Sequence, residues 1–202
     1  LIQLDRSTGS RTLLADSRGS LGSDERAWFR GRDVELDPVS GDALVWDDVQ
    51  DQLYRVTPAG ARTLEYGERV GKGTTIDKLR DIRWDTGTGR LVLAGTSPNR
   101  IVALDPATGD RQILWTDGDP GPRLLNPLPV AIVEPGARYV VADNRELFSL
   151  DLATRTMSLL SQDDPGFGPQ LTSFTRQITF EATTGLLLIT DGVSLFSVDP
   201  VS

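Results

Sequence analysis

The 202-residue chain contains no histidine and no cysteine. The first absence removes Ser-His-Asp hydrolysis, Cys-His nucleophiles, His-ligated zinc or iron and His general bases. The second removes disulfides and thiolate metal sites, and it fits either redox compartment. Lysine is scarce as well: Lys72 and Lys78 are the only two among 21 basic residues, a bias that GC-rich bacterial coding produces. A basic stripe is missing, and the net charge of −8 argues against non-specific binding to nucleic acid or an anionic membrane. The longest apolar run, Leu186 to Thr190, is far too short to span a bilayer. Helical periodicity never extends beyond about two turns.

What the sequence does have is a repeat. LIQLDRSTG, LYRVTPAG, IVALDPATG, LFSLDLATR and LFSVDP align on Leu4, Val56, Leu104, Leu150 and Val198, at intervals of 52, 48, 46 and 48 residues. A second set, DVELDPVSG, DIRWDTGTG, VAIVEPGAR and QITFEATTG, aligns on Leu36, Trp84, Val133 and Phe180, at intervals of 48, 49 and 47. An acid follows each of these anchors: Asp37, Asp85, Glu134 and Glu181. Two halves of a unit that share one period are a stronger signal than either alone.

Each unit carries four short strand-like segments, which in the best-defined one are 81–85, 90–95, 100–105 and 110–115. They are rich in β-branched and aromatic residues. The links DPVSG, DTGTG, DPATG and EATTG are turn chemistry: Asp or Pro opens the turn and Gly takes the positive-φ position. A period of about 40–50 residues with four strands per unit predicts an all-β fold, a β-propeller with four-stranded blades of about 48 residues. A β-sandwich has no reason to keep one period, and a β-helix repeats in far shorter coils. The chain accommodates about four such blades in a single domain spanning residues 1–202, beginning and ending mid-blade. The expectation is a segment of a ring of more blades, completed by further blades or a partner piece. Trp28, Trp84, Phe148, Phe180 and Phe196 are placed to fill the layers between blades.

Gly-rich connectors separate the blades: GKG at 71–73, GDPGP at 118–122 and GFGP at 166–169. The G-x-G of Gly71 and Gly73 lacks the strand-before, helix-after setting of a phosphate loop, and a connector turning in every blade accounts for it better.

The second-strand endings VVAD (Val140 to Asp143) and LITD (Leu188 to Asp191), with third strands such as LFSVD (Leu195 to Asp199), resemble the NHL and YWTD-type six-bladed propellers. The resemblance spans the chain and rests on repeat grammar. It implies a six-bladed ring, of which about two blades are not in this chain. The wider superfamily includes gluconolactonase-like lactonases, which hold a divalent metal through Glu, Asn and Asp. Their ligand motifs are not evident here; Asn99, Asn126 and Asn144 fall in loops and a connector.

Two sets of residues stand out by register. Just ahead of the first strands lie Arg32, Arg80, Pro129 and Arg176. Because the first strand of a blade is innermost, Arg32, Arg80 and Arg176 are candidates to bind an anionic group at the channel mouth through their guanidinium forks. The bland alternative pairs each with a neighbouring acid, Asp33 and Asp81 above all. At the ends of the second strands lie Asp47, Asp143 and Asp191, with Gly95 in the fourth position. These acids are expected to bind backbone N–H groups of their own turns. The alternative is a Ca²⁺ site, for which Asp47, Asp48 and Asp51 form the one local cluster worth testing. Asp163 and Asp164 read as solvated loop.

The expected function is non-enzymatic binding of a small anionic ligand or a protein, in a bacterial chain placed in the periplasm or outside the cell. The expected partners include the remaining blades of the ring, and no nucleic acid, membrane span or cofactor. The alternatives are a Ca²⁺-dependent lactonase or hydrolase, and an assembly piece whose role is to complete a ring.

Overall fold

A computed structural model describes residues 1–4, 7–13, 31–67, 70–125, 127–162 and 175–200. Among these residues every regular element is a β-strand, as the repeat predicts. The chain divides into two compact units, Leu1–Lys72 with Pro106–Asp110, and Gly73–Asp105 with Arg111–Ser202.

The first unit opens with the hairpin β1 (Ile2–Leu4) and β2 (Arg11–Leu13). A four-stranded antiparallel blade follows, β3 (Gly31–Leu36), β4 (Ala43–Asp47), β5 (Gln52–Val56) and β6 (Arg62–Tyr66), ordered as in sequence. Trp46 is wholly buried and stacks on Tyr66, with ring centroids 5.7 Å apart.

The second unit holds two complete blades and most of a third. β7 (Asp77–Asp85), β8 (Arg90–Ser97), β9 (Asn99–Leu104) and β10 (Arg111–Thr116) form one. β11 (Pro127–Glu134), β12 (Arg138–Asp143), β13 (Glu146–Asp151) and β14 (Thr156–Ser161) form the next. β15 (Gln177–Glu181), β16 (Leu186–Thr190) and β17 (Leu195–Val198) form a three-stranded sheet. This meandering array is the blade order of a β-propeller. The four strands expected between 81 and 115 are all present. The first begins four residues earlier than the alternation indicated, because its ladder passes through a bulge.

The first-to-second strand turn takes one form three times. In DPVSG, DTGTG and EATTG the acid side chain accepts backbone N–H groups inside the turn: Asp37 from Val39 at 2.9 Å, Asp85 from Gly87 at 2.9 Å, and Glu181 from Thr183 at 3.0 Å. The glycine that closes each turn donates its N–H to the acid's carbonyl at 2.8–2.9 Å with φ near +70° (Gly41, Gly89, Gly185). An L side chain resists that conformation, so the acid and the glycine recur as a pair.

Blades of the second unit pack face to face through two clusters. In one, Val92, Ala94, Ile101 and Trp115 meet Val130, Tyr139, Val141 and Phe148. In the other, Ala131, Val140, Ala142 and Leu147 meet Ile178, Leu187 and Ile189. Each fully buried aliphatic side chain here contributes about 1.5–3 kcal/mol. Phe148 is buried as expected, and Phe180 and Phe196 pack at the cluster edge. Trp84 is half-buried, and Trp28 lies outside the described residues. Trp115, the last residue of the strand expected over 110–115, is the penultimate residue of β10 and is completely buried.

The connectors explain the Gly-rich segments. A Cβ on Gly73 would sit 2.3 Å from the Arg111 carbonyl oxygen, and one on Gly121 would sit 2.4 Å from that of Met157. Each connector therefore crosses hard against the outer strand of the blade it enters, and only glycine fits the crossing. The G-x-G glycines are structural, as the connector reading anticipated. The GFGP connector lies outside the described residues.

Candidate functional site

The first strands contain a shared irregularity. Gly31 and Asp33 face the consecutive residues Asp47 and Trp46, so Arg32 is the extra residue of a β-bulge. Leu79 and Asp81 face Gly95 and Ala94 in the same way, and Arg80 is the extra residue there. The register also slips between Pro127 and Val130. Arg32 and Arg80 thus lie within β3 and β7, not ahead of them; Arg176 does precede β15. A bulged residue has no ladder hydrogen bond, and the bulge re-aims its side chain.

The three arginines are used differently. Arg32 is exposed and pairs with Asp48 at 3.3 Å, while the expected partner Asp33 caps the Val34 N–H at 2.9 Å. Arg80 is half-buried. The acid beside it, Asp81, is nearly inaccessible: Oδ1 binds Arg83 at 2.9 Å and Oδ2 accepts the Val130 N–H from the next blade at 2.7 Å. Arg83 in turn donates from Nη2 to Gln177 Oε1 at 3.0 Å. That bond ties β7 to β15 one residue from Arg176 and three from Arg80. Arg176 is exposed, and its backbone N–H donates to the Thr190 carbonyl at 2.7 Å. Arg83 was not legible as a site residue, because the repeat has no basic residue at the corresponding positions Glu35 and Thr179.

The second-strand acids are caps. Asp47 Oδ1 accepts N–H groups from Val49 at 2.9 Å and Gln50 at 3.2 Å, and Asp191 Oδ1 accepts them from Val193 at 2.9 Å and Ser194 at 2.8 Å. Asp143 Oδ2 takes the N–H of Leu125, a connector residue, at 2.6 Å. Among the described residues no three acidic side chains converge as a metal site would require. Asn99 is engaged through Nδ2 with the Leu124 carbonyl at 2.6 Å and Asp117 at 3.2 Å. Asn126, Asp163 and Asp164 lie outside the described residues.

The anchor acids bind elsewhere in each blade. Asp37 takes Arg55 at 2.7 Å, and the same guanidinium reaches Asp42 at 3.2 Å and Glu65 at 3.1 Å. Burial opposes charge on Asp37, yet Arg55 and the turn N–H groups hold its carboxyl below the ordinary 3.8. Asp85, fully buried, spans two blades: beyond its own turn it accepts the Gly136 N–H at 3.0 Å and the Tyr139 hydroxyl at 2.7 Å. Burial, then the Asp85 carboxylate, pushes the Tyr139 phenol well above its ordinary value. Glu134 pairs with Arg138 at 2.7 Å. Glu181 is pulled down to about 2 by its hydrogen bonds with Thr184 and Thr183.

No known family model matches this sequence, and no curated protein matches it. Solved structures do. A chain of a nidogen/laminin complex superposes with a TM-score of 0.70 at 14% identity, over all of this chain and 70% of that one. A protein of unknown function from Bacteroides thetaiotaomicron gives 0.59 at 13% identity, over 86% of this chain and 42% of that one. A candidate gluconolactonase gives 0.62 at 16% identity, over 94% of this chain and 63% of that one. No helix among the described residues is long and apolar enough to cross a membrane. At these identities the likeness establishes the fold: the chain is built as a β-propeller.

Proposed function

We propose that the chain belongs to a six-bladed propeller of the NHL/YWTD kind that binds a partner without catalysing a reaction. The recognised feature would be an anionic group held by Arg80 and Arg176. The observation that carries this reading is the Arg83–Gln177 hydrogen bond, which links β7, where Arg80 lies, to β15, which Arg176 precedes. Two guanidinium groups on segments linked by that bond suit a carboxylate or phosphate, each offering a planar pair of donors. The buried acids of the second unit are committed to backbone N–H groups, to Arg83 and to Tyr139. They hold the blades together. The likeness to a chain from a nidogen/laminin complex supports binding of a protein that presents such a group.

Calorimetric titration with inorganic phosphate and with citrate tests the reading. Saturable binding that weakens by an order of magnitude or more in Arg80→Ala/Arg176→Ala is expected. Equal binding by the variant and the parent chain refutes it. Calcium-dependent hydrolysis of a sugar lactone, abolished by a chelator, would replace it with the lactonase reading.

A further inference from the structure

Arg83 reaches across the inner edge of the second unit. β11 packs against both β7 and β15, so the Arg83–Gln177 bond links the first strands of alternate blades and passes the one between them. The residue of β11 at the ladder place of Arg83 is Ala131: Arg83 faces Val92 and Ala131 faces Val140, each next to the second-strand partner of Leu104 or Leu150. An alanine side chain offers a guanidinium nothing to bond.

Three acceptors fix the Arg83 guanidinium. Nη1 donates to the Ile82 carbonyl at 2.7 Å, and Nη2 reaches Asp81 Oδ1 at 2.9 Å and Gln177 Oε1 at 3.0 Å. The side chain is thereby drawn back along β7 to the level of Asp81. Gln177 holds the same ladder place as Asp81, because they face Thr190 and Ala94, each three residues beyond the second-strand partner of Val198 or Leu104. Arg176 and Arg80 stand one residue further in the same direction. A strand rises about 3.3 Å per residue, so the Arg83 guanidinium lies about one step below the places of the other two arginines.

The three acceptors differ in how readily a ligand could replace them. Ile82 is 0% and Asp81 2% exposed, and Asp81 is tied to the next blade through the Val130 N–H. Gln177 is neutral and exposed, and the Arg83 side chain is itself 19% exposed. An ionised oxygen binds a guanidinium roughly twice as strongly as a neutral one.

We propose that Arg83 is a third binding group of the anion site, and that the Gln177 amide oxygen is a neutral stand-in for a ligand oxygen. A phosphate or carboxylate entering at Arg80 and Arg176 displaces Gln177 Oε1 and takes Nη2 of Arg83, while Asp81 keeps the guanidinium in place. This deepens the arginine reading and rests on it for the class of ligand.

Two substitutions at the exposed Gln177 test it by calorimetric titration with inorganic phosphate. Gln177→Ala removes the stand-in, and phosphate affinity is expected to rise about threefold or more, as displacement of a neutral hydrogen bond allows. Gln177→Glu fills the place with a carboxylate of the chain itself, and affinity is expected to fall about tenfold or more. A tie that merely holds β15 to β7 predicts the opposite order, since Glu keeps a stronger acceptor for Arg83 and Ala loses it. Unchanged or weaker binding in Gln177→Ala, or unchanged binding in Gln177→Glu, overturns the proposal. If Arg80→Ala/Arg176→Ala weakens binding while both Gln177 variants bind as the parent chain does, the arginine reading stands and this one falls. If the two Gln177 variants shift affinity as expected while Arg80→Ala/Arg176→Ala binds as the parent does, Arg83 remains the binding group and the arginine reading falls. Absence of saturable binding in the parent and in both Gln177 variants overturns the two together.

Discussion

Replacing Asp85 by alanine tests how the second unit is held together. The carboxylate is wholly buried and collects four donors: the Gly87 and Gly136 N–H groups and the Thr88 and Tyr139 hydroxyls. Gly87, Thr88 and Gly136 are exposed and recover water when the carboxylate is gone. Tyr139, 1% exposed, does not. A stranded buried hydroxyl costs about 1–3 kcal/mol, and a lost charged hydrogen bond is worth about 1.5–3 kcal/mol. Asp85→Ala should therefore cost about 3–4 kcal/mol. Tyr139→Phe removes one donor and leaves the carboxylate three others, so it should cost about 1.5 kcal/mol. The informative variant is the pair. Once Asp85 is alanine, removing the stranded hydroxyl relieves a penalty, and Tyr139→Phe should become neutral or stabilising. That is a coupling of at least about 1 kcal/mol, as neighbours in one network show. Urea denaturation followed by tryptophan fluorescence measures it: with a slope of about 2–3 kcal/mol per molar, Asp85→Ala moves the midpoint by about 1 M. Additive costs in the double variant, or a loss below about 1 kcal/mol for Asp85→Ala, would refute the reasoning. Alkaline titration supplies a second readout on the same pair. The Tyr139 phenol lies above the ordinary 10.0 because of burial and then Asp85. Its contribution to stability is complete below the unfolded value and is lost as pH rises above it. Tyr139 should thus ionise only as the fold opens, and ionisation at an ordinary pH in the folded protein would contradict the buried pair.

Two shorter expectations follow from the turns and connectors. Gly121→Ala places a Cβ 2.4 Å from the Met157 carbonyl oxygen and should cost more than about 2 kcal/mol, whereas Gly118→Ala, with φ +117° and open space, should cost about 1 kcal/mol; equal midpoints in urea would show that the crossing is not tight. In an NMR titration the Glu181 carboxyl should titrate near 2, and its stabilising effect, present above the unfolded value of about 4.5, should fade as pH drops toward 2. Titration of Glu181 with the bulk of the carboxylates would show that its turn is not formed as described.

The blade was legible because its signals are local. The turn acid, the closing glycine and strand alternation are read within about ten residues, and all three held. Register across strands was harder. Aligning the anchor acids makes Val133 the equivalent of Trp84, but the ladder slips between Ile132 and Glu134, and Ile132 is the residue that faces the second strand as Trp84 does. One inserted residue is invisible when the flanking residues are Val, Ala, Ile and Val. The bulges at Arg32 and Arg80 were missed for the same reason, and those arginines were set ahead of their strands. Inter-blade bonds were not legible at all. Asp37, Asp85, Glu134 and Glu181 share one place in the repeat, yet their partners are Arg55, Tyr139 with Gly136, Arg138, and the N–H groups of Thr183 and Thr184. What each acid does depends on residues up to about 50 positions away.

That divergence makes the blades non-interchangeable. The second-strand places that correspond to Tyr139 hold Ala43, Leu91 and Leu187, none of which can donate a hydrogen bond from its side chain to a buried carboxylate. A repeat chain risks docking one unit where another belongs, and backbone geometry offers little to prevent it when all units share a shape. Here Asp85 acts as a key that only one lock accepts. Shuffling the order of the blades would leave every strand and turn intact, while burying a charge with no partner across the seam.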